Sequence, residues 1–94
     1  MRVRYTPRAR ADLGSIYDYI SKHSARGARR VKARIKKTVS NLGRMPNMGR
    51  ETSTKDVRTI AVTRCPYIVF YRIRRGEVHV VHVRHGARES LSDK

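Results

Sequence analysis

CPYIVFYRIRRGEVHVVHVRHGAR, residues 65–88, holds two runs of β-branched and aromatic residues with a turn between them. Tyr67-Ile68-Val69-Phe70-Tyr71 is the first run, and Val78-His79-Val80-Val81-His82-Val83 is the second. Arg74-Arg75-Gly76-Glu77 joins them, and two such runs with a short glycine-containing connection predict a β-hairpin. Neither run alternates cleanly between apolar and polar residues. That predicts strands at least partly covered on both faces, in the middle of a sheet. His85, Gly86 and Arg88 follow the second run, at the end of a rigid element where binding groups are often displayed.

Working outward, Val57-Arg58-Thr59-Ile60-Ala61-Val62 predicts a preceding strand, with Arg58 opposite in direction to Val57 and Thr59. The three strands are expected to form an antiparallel meander. At the other end of the chain, Arg2-Val3-Arg4-Tyr5 alternates and predicts a short first strand, placed beside the last one and parallel to it. Thr6-Pro7 reads as a helix start, a hydroxyl N-cap before a proline whose missing N–H costs nothing there. Ala9, Leu13, Ile16, Tyr17 and Ile20 then form a helical apolar stripe, with Tyr19 off it and expected in solvent. Ser24 is placed to cap a second helix whose stripe is Ala28, Val31, Ile35, Val39 or Thr38, and Leu42, with Gly43 at its end. So short a joint predicts an antiparallel helical hairpin. Residues 44–56 read as an exposed loop and residues 89–94 as a polar tail.

The expected class is therefore α+β: a β-α-α-β-β-β order with the helical hairpin packed on a small, mainly antiparallel four-stranded sheet. One domain over residues 1–94 is expected, since a chain this short buries only about 60–65% of its unfolded surface. Lysine and arginine number 23 against 7 aspartates and glutamates, a formal net charge of +16. Small soluble domains usually carry about 2–8 charges in magnitude, so this excess points to an anionic partner. The lone Cys65 forms no intrachain disulfide, which suits a reducing compartment. No secretory h-region is visible, and no apolar run reaches the roughly 20 residues of a membrane span. A cytoplasmic protein without membrane contact is expected.

Catalytic patterns are scarce. The histidines, His23, His79, His82 and His85, show no metal-ligand spacing with cysteine or carboxylates, so no metal and no cofactor is expected. His79 and His82, three apart on a strand, should project to opposite faces. There is no glycine-rich phosphate loop and no evident acid–base pair. What remains is an arginine-rich surface: Arg58, Arg72 and Arg84 are expected on one sheet face, with Arg64 and Arg88 near element ends. Guanidinium forks in that arrangement suit phosphates or an acidic protein surface.

Pro66-Tyr67, Val69-Phe70-Tyr71-Arg72 and Val83-Arg84-His85-Gly86-Ala87-Arg88 resemble the ParE branch of the RelE/ParE toxins of bacterial toxin–antitoxin systems. The resemblance implies the strand and helix order given above, and a toxin that inhibits DNA gyrase without being an enzyme. Arg58, Arg64, Arg72, Arg84, His85 and Arg88 would then bind the target. It implies also an acidic ParD-like antitoxin, in a toxin–antitoxin hetero-oligomer, lying near Leu13, Tyr17, Tyr19, Ile20, Arg29 and Arg30. The RelE branch instead cleaves mRNA on the ribosome, usually with a tyrosine or histidine near the C-terminus. All five tyrosines here precede the last strand. Were the chain such an endoribonuclease, Arg58, Arg64, His85 and Arg88 would carry the chemistry. A basic nucleic-acid-binding module without toxicity is the third alternative.

Overall fold

A computed structural model of the chain describes residues 1–86. Strand β1 (Arg2–Tyr5) leads into helices α1 (Pro7–Ser21) and α2 (Ala25–Arg44). A 3₁₀ turn (Pro46–Met48) follows, then β2 (Arg50–Glu51), β3 (Val57–Ala61), β4 (Tyr67–Arg74) and β5 (Glu77–His85). The sheet runs β1-β5-β4-β3-β2, with β1 parallel to β5 and every other neighbouring pair antiparallel. The expected meander, helical hairpin and parallel first strand are present. The difference is the fifth strand: β2 lies inside the segment expected to be loop.

Local chemistry sets the element boundaries. Thr6 accepts the Ala9 N–H at 3.1 Å and Ser24 accepts the Gly27 N–H at 2.9 Å, so each helix begins on a hydroxyl cap. Arg75 and Gly76 both take positive φ, 53° and 73°, between the paired residues Arg74 and Glu77. Two left-handed residues in a two-residue connection match the twist of the flanking strands. Gly43 does not end α2, which continues to Arg44. Its role is close approach: a Cβ there would stand 2.8 Å from the Met1 carbonyl oxygen, and the Met1 ammonium donates to the Gly43 carbonyl at 2.7 Å.

The helices cover one face of the sheet. Tyr67, Val69 and Tyr71 of β4 and Val78, Val80 and Val83 of β5 are buried there with Ala9, Ile35, Val39 and Leu42 of the helices. Burial of each such aliphatic side chain stabilises by about 1.5–3 kcal/mol. Alternation along β4 sends Ile68, Phe70 and Arg72 to the face away from the helices, where Phe70 is only half-buried.

The β4–β5 register contains one irregularity with a large consequence. Val69 pairs with Val83 and Phe70 with His82, but Tyr71 pairs with Val80, so Val81 is an extra residue. The bulge resets the alternation. His79, opposite Arg72, and His82, opposite Phe70, therefore share the outer face, contrary to the expectation that a three-residue spacing separates them.

The 44–56 segment is anchored from the core. The Tyr71 hydroxyl donates to the Pro46 carbonyl at 2.7 Å and accepts from the Gly49 N–H at 2.9 Å. Gly49 is buried, and a Cβ on it would fall 2.3 Å from that hydroxyl oxygen. Here glycine is required by space, not by φ.

Candidate functional site

The outer sheet face gathers basic side chains around Phe70. β4 contributes Arg72 and Arg74, β5 contributes His79, His82 and Arg84, β1 contributes Arg2 and Arg4, and β2 contributes Arg50, all by register with one another. Glu77 is the one carboxylate that the described strands place on this face. It is held by Arg4 at 3.1 Å and His79 at 3.1 Å, and those hydrogen bonds, His79 first, keep its carboxyl below the usual range. Arg84 stacks over Phe70 with its guanidinium carbon 4.6 Å from the ring centre, and it is only 7% exposed. Arg72 Nε is buried with no hydrogen-bond partner in the described residues. A buried guanidinium donor without an acceptor is costly, and an arriving anion would relieve that cost.

Where β1 ends, α1 takes over the edge of β5. Asp12 accepts the Val83 N–H at 3.0 Å and stands 2.6 Å from His82 Nδ1, while the His82 ring lies 5.4 Å from that of Phe70. One carboxylate thus satisfies a strand edge and orients a histidine on the basic face. Sequence reasoning sees in Asp12 only a carboxylate near the helix start and misses this role. Its signal was a carboxylate adjoining the apolar stripe of an amphipathic helix, where a polar group needs a partner.

The arginines expected together are divided. Arg72 and Arg84 do share the outer face. Arg58 does not: it pairs with Tyr71, whose side chain enters the helix-covered core. Its guanidinium donates to the Gly49 carbonyl at 2.8 Å and meets Glu51 at 3.4 Å, so it braces the β2 segment. Arg64 sits in the β3–β4 turn with φ 62°. His85 lies opposite Tyr67, ring centres 5.5 Å apart, and its Nδ1 is buried without a hydrogen-bond partner in the described residues. Arg88 lies outside the described residues. No group of three or more side chains that could hold a metal occurs among the described residues.

On the helical side, Leu13, Tyr17 and Ile20 are half-buried against the core, whereas Tyr19 is 62% exposed and lies 5.5 Å from the His23 ring. Arg29 and Arg30 are exposed on α2. Lys32 stands 5.7 Å from the Tyr17 ring centre. Burial, with a smaller contribution from Tyr5, pushes the Tyr17 hydroxyl up to about 12.

A profile described as ParE toxin of type II toxin-antitoxin system, parDE, matches residues 3–90. The chain belongs to the ParE toxin family. As a ParE-family toxin of a type II system it has an antitoxin as partner. It is similar to the toxin RelE2 of Caulobacter vibrioides, 39% identical over 87 residues that cover 93% of this chain and 97% of that one. Y4kP of Sinorhizobium fredii is 38% identical over 88 residues, covering 94% and 91%. A chain of the structure described as the chromosomal ParDE TA system from P. aeruginosa superposes with a TM-score of 0.81 at 27% identity, covering 90% of this chain and 95% of that one. For this ParE-family chain, therefore, the α+β order agrees with that of a solved relative. Among the described residues no helix is long and apolar enough to cross a membrane.

Proposed function

We propose that this toxin acts in the cytoplasm as one domain, inhibits DNA gyrase by protein–protein docking, and is neutralised by an acidic ParD-like antitoxin. One observation supports docking over RNA cleavage: Arg58 and His85, two of the residues a nuclease would need, do not converge. Arg58 is held beside Gly49 on the helix-covered side, level with Tyr71, whereas His85 is level with Tyr67. Four residues along β4 separate those levels by about 13 Å, before the width of the intervening strand is added. Arg72, Arg84 and His82, by contrast, lie together on the face centred on Phe70. Such a face suits an acidic protein surface, with Phe70 as apolar anchor and the guanidinium groups selecting partner and register.

The antitoxin reading rests on charge and on the helical hairpin. An acidic segment that folds on contact would gain charge attraction from Arg29 and Arg30 and an aromatic anchor from Tyr19, with Leu13, Tyr17 and Ile20 offering their exposed edges.

The deciding experiment combines purified toxin with gyrase and relaxed plasmid. Loss of supercoiling with accumulation of cleaved complexes is expected, and Arg72→Glu should weaken it at least about tenfold with an unchanged melting temperature. Ribosome-dependent mRNA cleavage by the pure toxin, with supercoiling untouched, would establish the endoribonuclease reading instead.

A further inference from the structure

A second basic surface lies on the opposite side of the sheet from the Phe70 face. Along α2, Arg26, Arg30, Arg34, Lys37, Asn41 and Arg44 succeed one another at spacings of three or four residues, which places them on one row. The row spans about 27 Å at 1.5 Å per residue. It lies on the flank turned away from Lys32, which stands over the Tyr17 ring of α1. Midway it opens into a cleft of about 380 Å³ between α2 and the β3–β4 turn, lined by Arg34, Lys37, Thr38, Asn41, Thr63 and Arg64. No carboxylate lines it. Thr38 is a polar residue only 8% exposed, and Arg34 donates to the Arg64 carbonyl at 3.0 Å, fixing helix to turn. Arg64 holds φ at 62°, a conformation costly for a residue with a side chain.

We infer that this row and cleft bind the phosphodiester backbone of duplex DNA. Three features select that occupant. Every member of the row is cationic or a neutral hydrogen-bonding residue, the composition of phosphate contacts, whereas a peptide partner would draw its affinity from apolar anchors that the row lacks. The row carries no aromatic residue on which the bases of a single strand could stack. It is straight and rigid because it is built on one helix, as a regular duplex backbone requires. The inference does not depend on gyrase as target, since a toxin that leaves supercoiling intact can still bind DNA this way.

The test must separate a site from diffuse positive charge. Lys37→Ala with Arg64→Gly removes two charges from the cleft, and glycine accepts the left-handed position at residue 64. Lys55→Ala with Arg75→Gly removes two charges elsewhere, again with glycine at a positive φ, 53°. Thermal melts confirm that both full-length variants fold. Anisotropy of a short fluorescein-labelled duplex is then followed against salt. The cleft variant should bind at least about tenfold more weakly and lose about 1.8 from the slope of log K against log salt, at 0.9 per phosphate contact. The control should stay within about twofold in affinity. Equal losses in the two variants would overturn the proposal. So would tighter binding of single-stranded DNA or RNA of the same length, or loss of poly-glutamate binding with DNA affinity unchanged.

Discussion

The Tyr71 hydroxyl is both donor and acceptor to one short segment, and a phenylalanine there would leave the Gly49 N–H and the Pro46 carbonyl without that partner. Tyr71→Phe is expected to cost about 1–3 kcal/mol, measured by urea denaturation, although no carbon contact changes. Tyr17 gives a pH-dependent counterpart. Its folded pKa of about 12 stands above the ordinary 10.0, so the native state favours the neutral phenol. That contribution is complete below pH 10 and is lost as pH rises from 10 towards 12. Melting temperatures of the wild type should therefore fall more steeply across that window than those of Tyr17→Phe. Asp12 is the residue whose loss reaches the basic face: Asp12→Ala strips the Val83 N–H and the His82 ring of their shared acceptor. Backbone amide exchange at Val83 should then accelerate, with a stability loss of about 1–3 kcal/mol.

At the scale of the element, β4 and β5 decide most of the stability, and their two faces are unequal. Val80 and Val83 are buried against the helices, and Val80→Ala should cost about 2–3 kcal/mol in a denaturation experiment. Val81 is the bulge residue and is only half-buried, so Val81→Ala should cost well under half of that. Equal costs would mean that the bulge is misplaced, and with it the pairing of His79 and His82 on one face. β2 is a smaller element with a single anchor. Gly49→Ala drives a Cβ into the Tyr71 ring, and hydrogen exchange should report loss of protection at Arg50 and Glu51 while α1 and α2 keep theirs.

For the molecule as a whole, the sheet separates two working sides. The helical side carries the half-buried Leu13, Tyr17 and Ile20 and the exposed Tyr19. The outer face carries Phe70 among arginines and histidines. If gyrase docks on the outer face and the antitoxin on the hairpin, Tyr19→Ala should weaken antitoxin binding by calorimetry and leave gyrase inhibition unchanged. Arg72→Glu should do the reverse. Much of this layout was legible beforehand. The hairpin, the caps at Thr6 and Ser24, the helical stripes and the exposed Tyr19 all follow from near neighbours in the chain. The candidate site was legible only in part. Arg72 and Arg84 were found because they lie on strands already paired by a short turn, whereas Arg58 was misassigned because β3 reaches β4 through a longer connection that leaves its register open.

By itself the sequence determined the order of strands and helices, the basic character and the family resemblance, because turn residues, helix caps and apolar spacing act over a few residues. Only the tertiary structure decided which charges meet. One extra residue at Val81 turned His79 and His82 to a common face. The Tyr71 hydroxyl converted an apparent loop into a turn and a fifth strand, and Asp12 closed an edge that lies 71 residues away at Val83. Those outcomes depend on register and on contacts across the fold. No local pattern encodes them, since a shift of one position in pairing reverses every side chain that follows it.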